Sequence, residues 1–207
     1  MVDVLLMRHS HVDYSSPEGM TPRIPLTPLG RQMAARLAER CSHWDLQYLF
    51  VSTMLRAEQT ADAITARFPH LPRVSMPEFD EMSLPDLESY PGRLPSEDLG
   101  TWEEGHFRYC LGRMWGRVAA GWEKVRRFVD ERGLERVAIL AHGGTLNVLL
   151  RHFQGYDGFP SDGCWFEFDW TAVSCVRYLN DGGSVHKWVR WVNDARHIDD
   201  LRHLLSG

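Results

Sequence analysis

Apolar residues follow two rhythms along this chain. Short unbroken apolar runs with polar ends alternate with longer stretches in which apolar residues recur every three to four positions. The first run, Val2 to Met7, predicts a buried strand that stops at the polar triplet Arg8-His9-Ser10. Leu46 to Val51 predicts a second strand, Arg73 to Met76 a weak third, and Arg136 to Ala141 a fourth. Helices fall between them. Thr27 can cap and Pro28 fits a first turn, so one helix runs from Pro28 through Arg40. Thr53 to Phe68 predicts a second, with Leu55, Ala61 and Ile64 toward the core, and Gly144 to Phe153 another. Trp102 to Arg132 reads as one long helix or two shorter ones, and Gly112, Gly116 and Gly121 weaken the case for a single unbroken one. In the tail, Trp165 to Trp170, Ser174 to Leu179 and His186 to Val192 alternate with period two, which predicts strands with one solvated face at a sheet edge.

Strands that alternate with helices imply an α/β fold: a three-layer α/β/α sandwich around a mostly parallel sheet. The length of 207 residues suits a single domain over 1–207. Residues 77 to 101 break the rhythm with Pro77, Pro85, Pro91 and Pro95 among acidic residues. Strand–helix units resume afterwards, so a lid-like insertion within the domain is expected at about 77–122.

Composition narrows the class. Hydrophobic residues make up 43% and charged residues 25%, as in ordinary soluble globular proteins. The net charge of −5 argues against a nucleic-acid or anionic-membrane partner, since both need basic surfaces. Cys41, Cys110, Cys164 and Cys175 form no C-x-x-C pair and fit no zinc spacing, so they read as buried free thiols in a reducing compartment. No signal-peptide pattern and no apolar run of membrane length occur, and a cytoplasmic location is expected. Oligomeric state leaves no mark on the sequence.

Ligands in α/β sheets bind outside the carboxyl ends of the strands. Three predicted strand ends carry chemistry there: Arg8-His9, Ser52 with Arg56, and His142-Gly143-Gly144. Arginine holds oxyanions bidentately, and glycines admit backbone N–H groups to an anion, so the expected ligand is a phosphate ester. A neutral imidazole can attack phosphorus, while cationic donors hold the phosphoryl oxygens. A leaving alkoxide needs a proton, and the acidic stretch offers Glu78, Asp80, Glu81, Asp86 and Glu88. His9-x-His11 also has the look of a metal-ligand pair, but a metallohydrolase barrel needs a much longer chain. Trp102, Phe107, Tyr109, Trp115 and Trp122 either line a pocket for a bulky substrate or pack a helix, and packing is the simpler reading.

Four motifs in order resemble the histidine phosphatase superfamily, the phosphoglycerate mutase-like proteins: Leu5-Leu-Met-Arg-His9, Leu26-Thr-Pro-Leu-Gly-Arg-Gln32, Ser52-Thr-Met-Leu-Arg-Ala-Glu-Gln-Thr-Ala61 and Ala141-His-Gly-Gly144. Asn193-Asp194 with His197 resembles the usual end of these domains. The resemblance implies a phosphoglycerate mutase-like fold with His9 as phosphate acceptor and Arg8, Arg56 and His142 as phosphoryl ligands. It also implies that Glu81 is the proton donor, and that neither a metal nor another cofactor takes part. Ser10, Arg23 and Gly143 are the expected substrate-binding residues. Ser10 stands where the family usually has glycine, and Pro85 and Leu87 replace a glycine and a tryptophan near the acid. These departures bear on the substrate, a small phosphorylated metabolite in this reading, more than on the chemistry. The length favours a phosphatase over a phosphomutase. A non-catalytic phospho-ligand module on the same fold is the rival outside enzymology.

Overall fold

The computed structural model describes residues 1–15, 21–82, 104–158 and 164–205. Strand β1 (Val2–Arg8) leads through a loop to α1 (Pro28–Cys41), followed by β2 (Tyr48–Val51), α2 (Leu55–Arg67) and β3 (Arg73–Ser75). A 3₁₀ turn at Pro77–Phe79 precedes the long α3 (Glu104–Arg132), then β4 (Arg136–Ala141) and α4 (Gly143–Phe153). The tail holds β5 (Val173–Asn180), β6 (Val185–Asp194) and a 3₁₀ stretch at Arg196–Leu204. Thr27 caps α1 as expected, its hydroxyl oxygen accepting the Gly30 amide at 2.9 Å. No helix among the described residues is long and apolar enough to cross a membrane.

The sheet order is β3-β2-β4-β1-β5-β6. The first four strands are parallel, and β5 and β6 add antiparallel to β1 and to each other. Period-two alternation sends side chains to two separate cores. Val4, Leu6, Phe50, Val137 and Ile139 face α3 and α4. Leu5, Met7, Leu49, Val51, Ala138 and Leu140 face α1 and α2. These are the three layers that the sequence implies.

The structure decides one open reading and corrects two expectations. Helix α3 is continuous through its glycines. Leu111, Met114, Trp115, Val118, Trp122, Val125 and Val129 line up at helical spacing and are buried. At roughly 1.5–3 kcal/mol per buried large side chain, this outweighs about 1 kcal/mol per glycine. Trp115 and Trp122 are thus core, with Trp122 against Phe153 and Tyr178 at ring distances of 4.5 and 5.6 Å. Trp102, the Phe107 side chain and residues 83–103 lie outside the described residues, and with them Asp86 and Glu88. The flanks of the expected insertion belong to the body: Phe79 is fully buried, and 104–122 are helix.

Second, 165–169 are not a strand. The Asn147 side chain donates to the Phe166 carbonyl at 2.9 Å and accepts its amide at 2.8 Å, so a helix side chain takes the place of a ladder partner. Third, Cys41, Cys110 and Cys175 are buried free thiols, but Cys164 is exposed.

Candidate active site

The parallel register brings three strand ends level. Arg8 lies opposite Ala141 across β1 and β4. Just beyond, the His9 amide donates to the Ala141 carbonyl at 2.9 Å and the Ser52 amide to the Leu140 carbonyl at 3.0 Å. His9, Ser52 and His142 therefore emerge side by side, and the two imidazole rings lie 4.9 Å apart.

His9 is 1% exposed. Its Nδ1 sits 2.8 Å from the Ser10 carbonyl, which can only accept, so Nδ1 carries the proton. The lone pair is then on Nε2, which accepts from Arg56 Nε at 3.2 Å. Burial, with Arg56 and Arg8 alongside, holds the His9 pKa well below its ordinary value. The ring is a neutral nucleophile with its lone pair fixed in direction.

Arg56 occupies the first turn of α2, where the short β2 hands over to the helix. It is buried, and its Nε–H also points at His142 Nδ1, 3.2 Å away. Its NH1 group donates to the Thr21 carbonyl at 3.2 Å. Arg8 closes the opposite side. One of its amino groups donates to the Phe168 carbonyl, and its guanidinium carbon lies 3.8 Å from the Trp170 ring centroid. Arg8 Nε is buried with no hydrogen-bond partner among the described residues. The Trp170 ring also lies 5.3 Å from the His9 ring. Next to it, Thr171 adopts φ 57°, a left-handed conformation unusual for a β-branched residue. Its amide donates to the His9 carbonyl at 3.3 Å, and its hydroxyl meets His197 Nε2 at 2.9 Å.

Glu81 arrives from the segment after the 3₁₀ turn, clamped from two helices. Arg117 of α3 donates to the Asp80 carbonyl at 2.8 Å, and the Thr145 hydroxyl of α4 to the same oxygen at 3.2 Å. Gly121 permits this approach, since a Cβ there would fall 2.6 Å from Glu78 Cβ. The Glu81 carboxylate accepts the Gly144 amide at 2.8 Å, at the N-terminus of α4. Burial raises the Glu81 pKa, against the lowering influence of the Met82 and Gly144 amides. Of the other acidic candidates among the described residues, Glu78 pairs with Lys124, and Asp80 accepts from Ser52 and Thr53.

The structure thus brings together Arg8, His9, Arg56, His142 and, at the rim, Glu81. Of the three expected substrate-binding residues, Ser10 lies beneath the site. It is fully buried, its amide donates to Thr60 Oγ1 at 3.0 Å and its hydroxyl to the Gly30 carbonyl, so both groups serve the fold. Arg23 is exposed on the segment whose Thr21 and Pro22 carbonyls lie against the start of α2. Gly143 opens α4 beside His142, with open space where a Cβ would stand. The Gly144 amide, expected for an anion, is taken by Glu81.

Two features escaped the sequence reading. Ser52 links His142 Nε2 to Asp80 by hydrogen bonds of 2.7 Å each. Ser52 stood at a strand end, but nothing in the sequence paired it with Asp80. The stacking of Trp170 on Arg8 left no signal at all. Among the described residues, no group of three or more His, Cys, Asp or Glu side chains is arranged to hold a metal ion.

A family model described as histidine phosphatase superfamily (branch 1) matches residues 4–190. A probable phosphatase of Schizosaccharomyces pombe is 28% identical over 205 residues, covering 95% of each chain. Among solved structures, the α-ribazole phosphatase of Shigella flexneri superposes with a TM-score of 0.70 at 19% identity, over 94% of this chain and 97% of that one. A phosphoglycerate mutase of Bacillus anthracis superposes with a TM-score of 0.69 at 14% identity, over 95% of each. At such identities the two structures speak to the fold alone.

Proposed function

The chain belongs to the histidine phosphatase superfamily (branch 1), and on that premise we propose that it is a metal-independent phosphomonoesterase for a small phosphorylated metabolite, working through a phosphohistidine on His9. One observation carries the reading: His9 Nδ1–H is tied to the Ser10 carbonyl, which leaves the Nε2 lone pair aimed at Arg56 in a buried cationic pocket. A phosphoryl group seated there is held by Arg56, Arg8 and His142. His9 Nε2 attacks phosphorus in line, and the bond to the ester oxygen breaks. Glu81 gives that oxygen its proton, a role suited to a carboxyl with a raised pKa. Water then attacks the phosphohistidine, Glu81 takes the water's proton, the P–N bond breaks and inorganic phosphate departs. The relatives named as phosphatases support hydrolysis as the net outcome. Two guanidinium groups beside His9 are unfavourable neighbours for a metal ion, which supports metal independence.

The test is hydrolysis of p-nitrophenyl phosphate by wild type and His9→Ala, each with and without EDTA, together with mass spectrometry of rapidly quenched enzyme. Turnover that survives EDTA, vanishes with His9 and leaves a phosphate on His9 is the expected result. Turnover lost to EDTA, or retained by His9→Ala, overturns it. Phosphate transfer only in the presence of a bisphosphate primer would identify a mutase.

A further inference from the structure

His142 presents a chemical problem that its surroundings resolve. Arg56 Nε–H points at Nδ1 from 3.2 Å, so Nδ1 is an acceptor and the proton of the neutral ring is on Nε2. Nε2 lies 2.7 Å from Ser52 Oγ, and the Ser52 hydroxyl donates onward to Asp80 Oδ1 at 2.7 Å. The chain therefore runs in one direction, from His142 Nε2–H to Ser52 to the Asp80 carboxylate. An unprotonated oxygen of a phosphate dianion has no proton to share with Nδ1. His142 can hold that oxygen only after a proton joins Nδ1, which makes the ring an imidazolium.

We propose that Ser52 and Asp80 are positioning residues: they fix His142 with Nδ1 toward the ligand and stabilise the imidazolium formed when a phosphate dianion binds. The inference rests on His142 being a phosphoryl ligand. The geometry is built for the task. Ser52 is fully buried, and its oxygen also accepts the Met54 amide at 3.2 Å, which orients the hydroxyl. Asp80 is held by the Thr53 amide at 2.7 Å and the Thr53 hydroxyl at 2.6 Å, and its backbone by Arg117 and Thr145. It cannot swing into the site as a proton donor.

The charges around His142 show why an anion is required. Burial disfavours a second proton most, and His9 and Arg8 at the end of β1, Arg56 of α2 and Arg117 of α3 disfavour it further. Asp80 and Glu81, from the segment before α3, are the acidic groups on the described elements around it. A phosphate dianion reverses the balance in the pocket, and the Asp80 charge, relayed by Ser52, meets the ring from behind. Ligand binding is then coupled to uptake of one proton, carried in on the phosphate or drawn from water and retained on Nδ1.

The experiment is ¹⁵N NMR of histidine side chains with inorganic phosphate as probe, with His142 assigned by comparison with His142→Gln. Wild type without phosphate is expected to show the Nε2–H tautomer at His142, and saturating phosphate to protonate both nitrogens near neutral pH. Asp80→Asn keeps acceptors for Ser52 and the Thr53 amide but lacks the charge. It is expected to keep the tautomer, to bind phosphate about tenfold more weakly at neutral pH, and to form the imidazolium about one pH unit lower. Ser52→Ala should lose the tautomer preference. An Nδ1–H tautomer in wild type, or an Asp80→Asn protein matching wild type in both phosphate affinity and protonation, overturns the relay. If phosphate moves no histidine signal, the phosphate site itself is refuted. The tautomer in wild type against Ser52→Ala then still decides whether the relay exists.

Discussion

Glu81 and Gly144 share one space: the carboxylate accepts the Gly144 amide at 2.8 Å and fills the position that a side chain at residue 144 would need. Gly144→Ala should therefore displace the acid while leaving the two histidines in place. We expect kcat/KM, which reports phosphoryl transfer onto His9, to fall about a hundredfold on alkyl phosphates, the lower range for a lost general acid. The effect should be far smaller on p-nitrophenyl phosphate, whose leaving group departs as a stable anion. Equal losses on both substrates would mean that residue 144 acts by some other route.

The pH profile follows from two shifts of opposite sign. His9 must be neutral to attack, and burial beside Arg56 and Arg8 lowers its pKa. The acid limb of kcat/KM is therefore expected well below 6.5, where an exposed histidine would already be protonated. Glu81 must be protonated to donate, and burial raises its pKa, so kcat/KM on alkyl phosphates should decline as pH rises through that value. Glu81→Gln should remove this decline at a lower overall rate. An unchanged alkaline limb in Glu81→Gln would assign the proton donor elsewhere.

Trp170 holds Arg8 by its ring face, at 3.8 Å. A desolvated cation–π contact is worth up to about 2 kcal/mol. Trp170→Ala should raise KM for p-nitrophenyl phosphate by roughly five- to tenfold, and Trp170→Phe, which keeps an aromatic face, by less. Steady-state kinetics on the two variants decide this. Identical KM values would show that the Phe168 carbonyl alone suffices to hold Arg8.

Far from the site, Asp194 ties the tail to α1 through Arg40 and also pairs with the neighbouring Arg196. Hydrogen bonds from Arg196 and Arg40 hold its carboxyl well below the usual carboxylate range. Its folded pKa is depressed, so its contribution is complete above the unfolded value near 3.9 and fades as pH falls toward the folded one. Asp194→Asn should cost about 2 kcal/mol at neutral pH, with the gap to wild type narrowing below about pH 4. Urea unfolding at several pH values measures it, and a gap that widens in acid would contradict the sign.

Burial pushes the Cys41 and Cys175 thiols up to about 12, and Cys110 is fully buried. Exposed Cys164 should be the thiol that reacts with Ellman's reagent in the folded protein, and Cys164→Ser should abolish that fast phase. A second fast thiol in the native state would indicate local opening.

What the sequence revealed, and what it hid, follows from the range of each interaction. Strand ends and helix periodicity are local, so Arg8-His9, Arg56 and His142 could be placed at one edge from the chain alone. Asp80 and Ser52 are joined only because Phe79 is buried and Gly121 lets α3 approach the turn. Local pattern also misleads where a distant partner substitutes for a neighbour. The alternation of Trp165 to Trp170 has the period of a strand, yet Asn147 captures the Phe166 backbone first. The glycines of α3 would weaken an isolated helix, but tertiary burial of its apolar stripe decides the matter.

The central position of β1 has a kinetic meaning. It is paired with β4 on one side and β5 on the other, and the pairing continues past its end: the Arg8 amide bonds to Ala172 and the His9 amide to Ala141. A histidine anchored on both flanks of a sheet cannot wander by fraying of an edge. Its backbone should rank among the slowest to exchange with deuterium. Heat should therefore displace the nucleophile only as the sheet itself comes apart, which would make phosphorylation of His9 a gauge of the folded population.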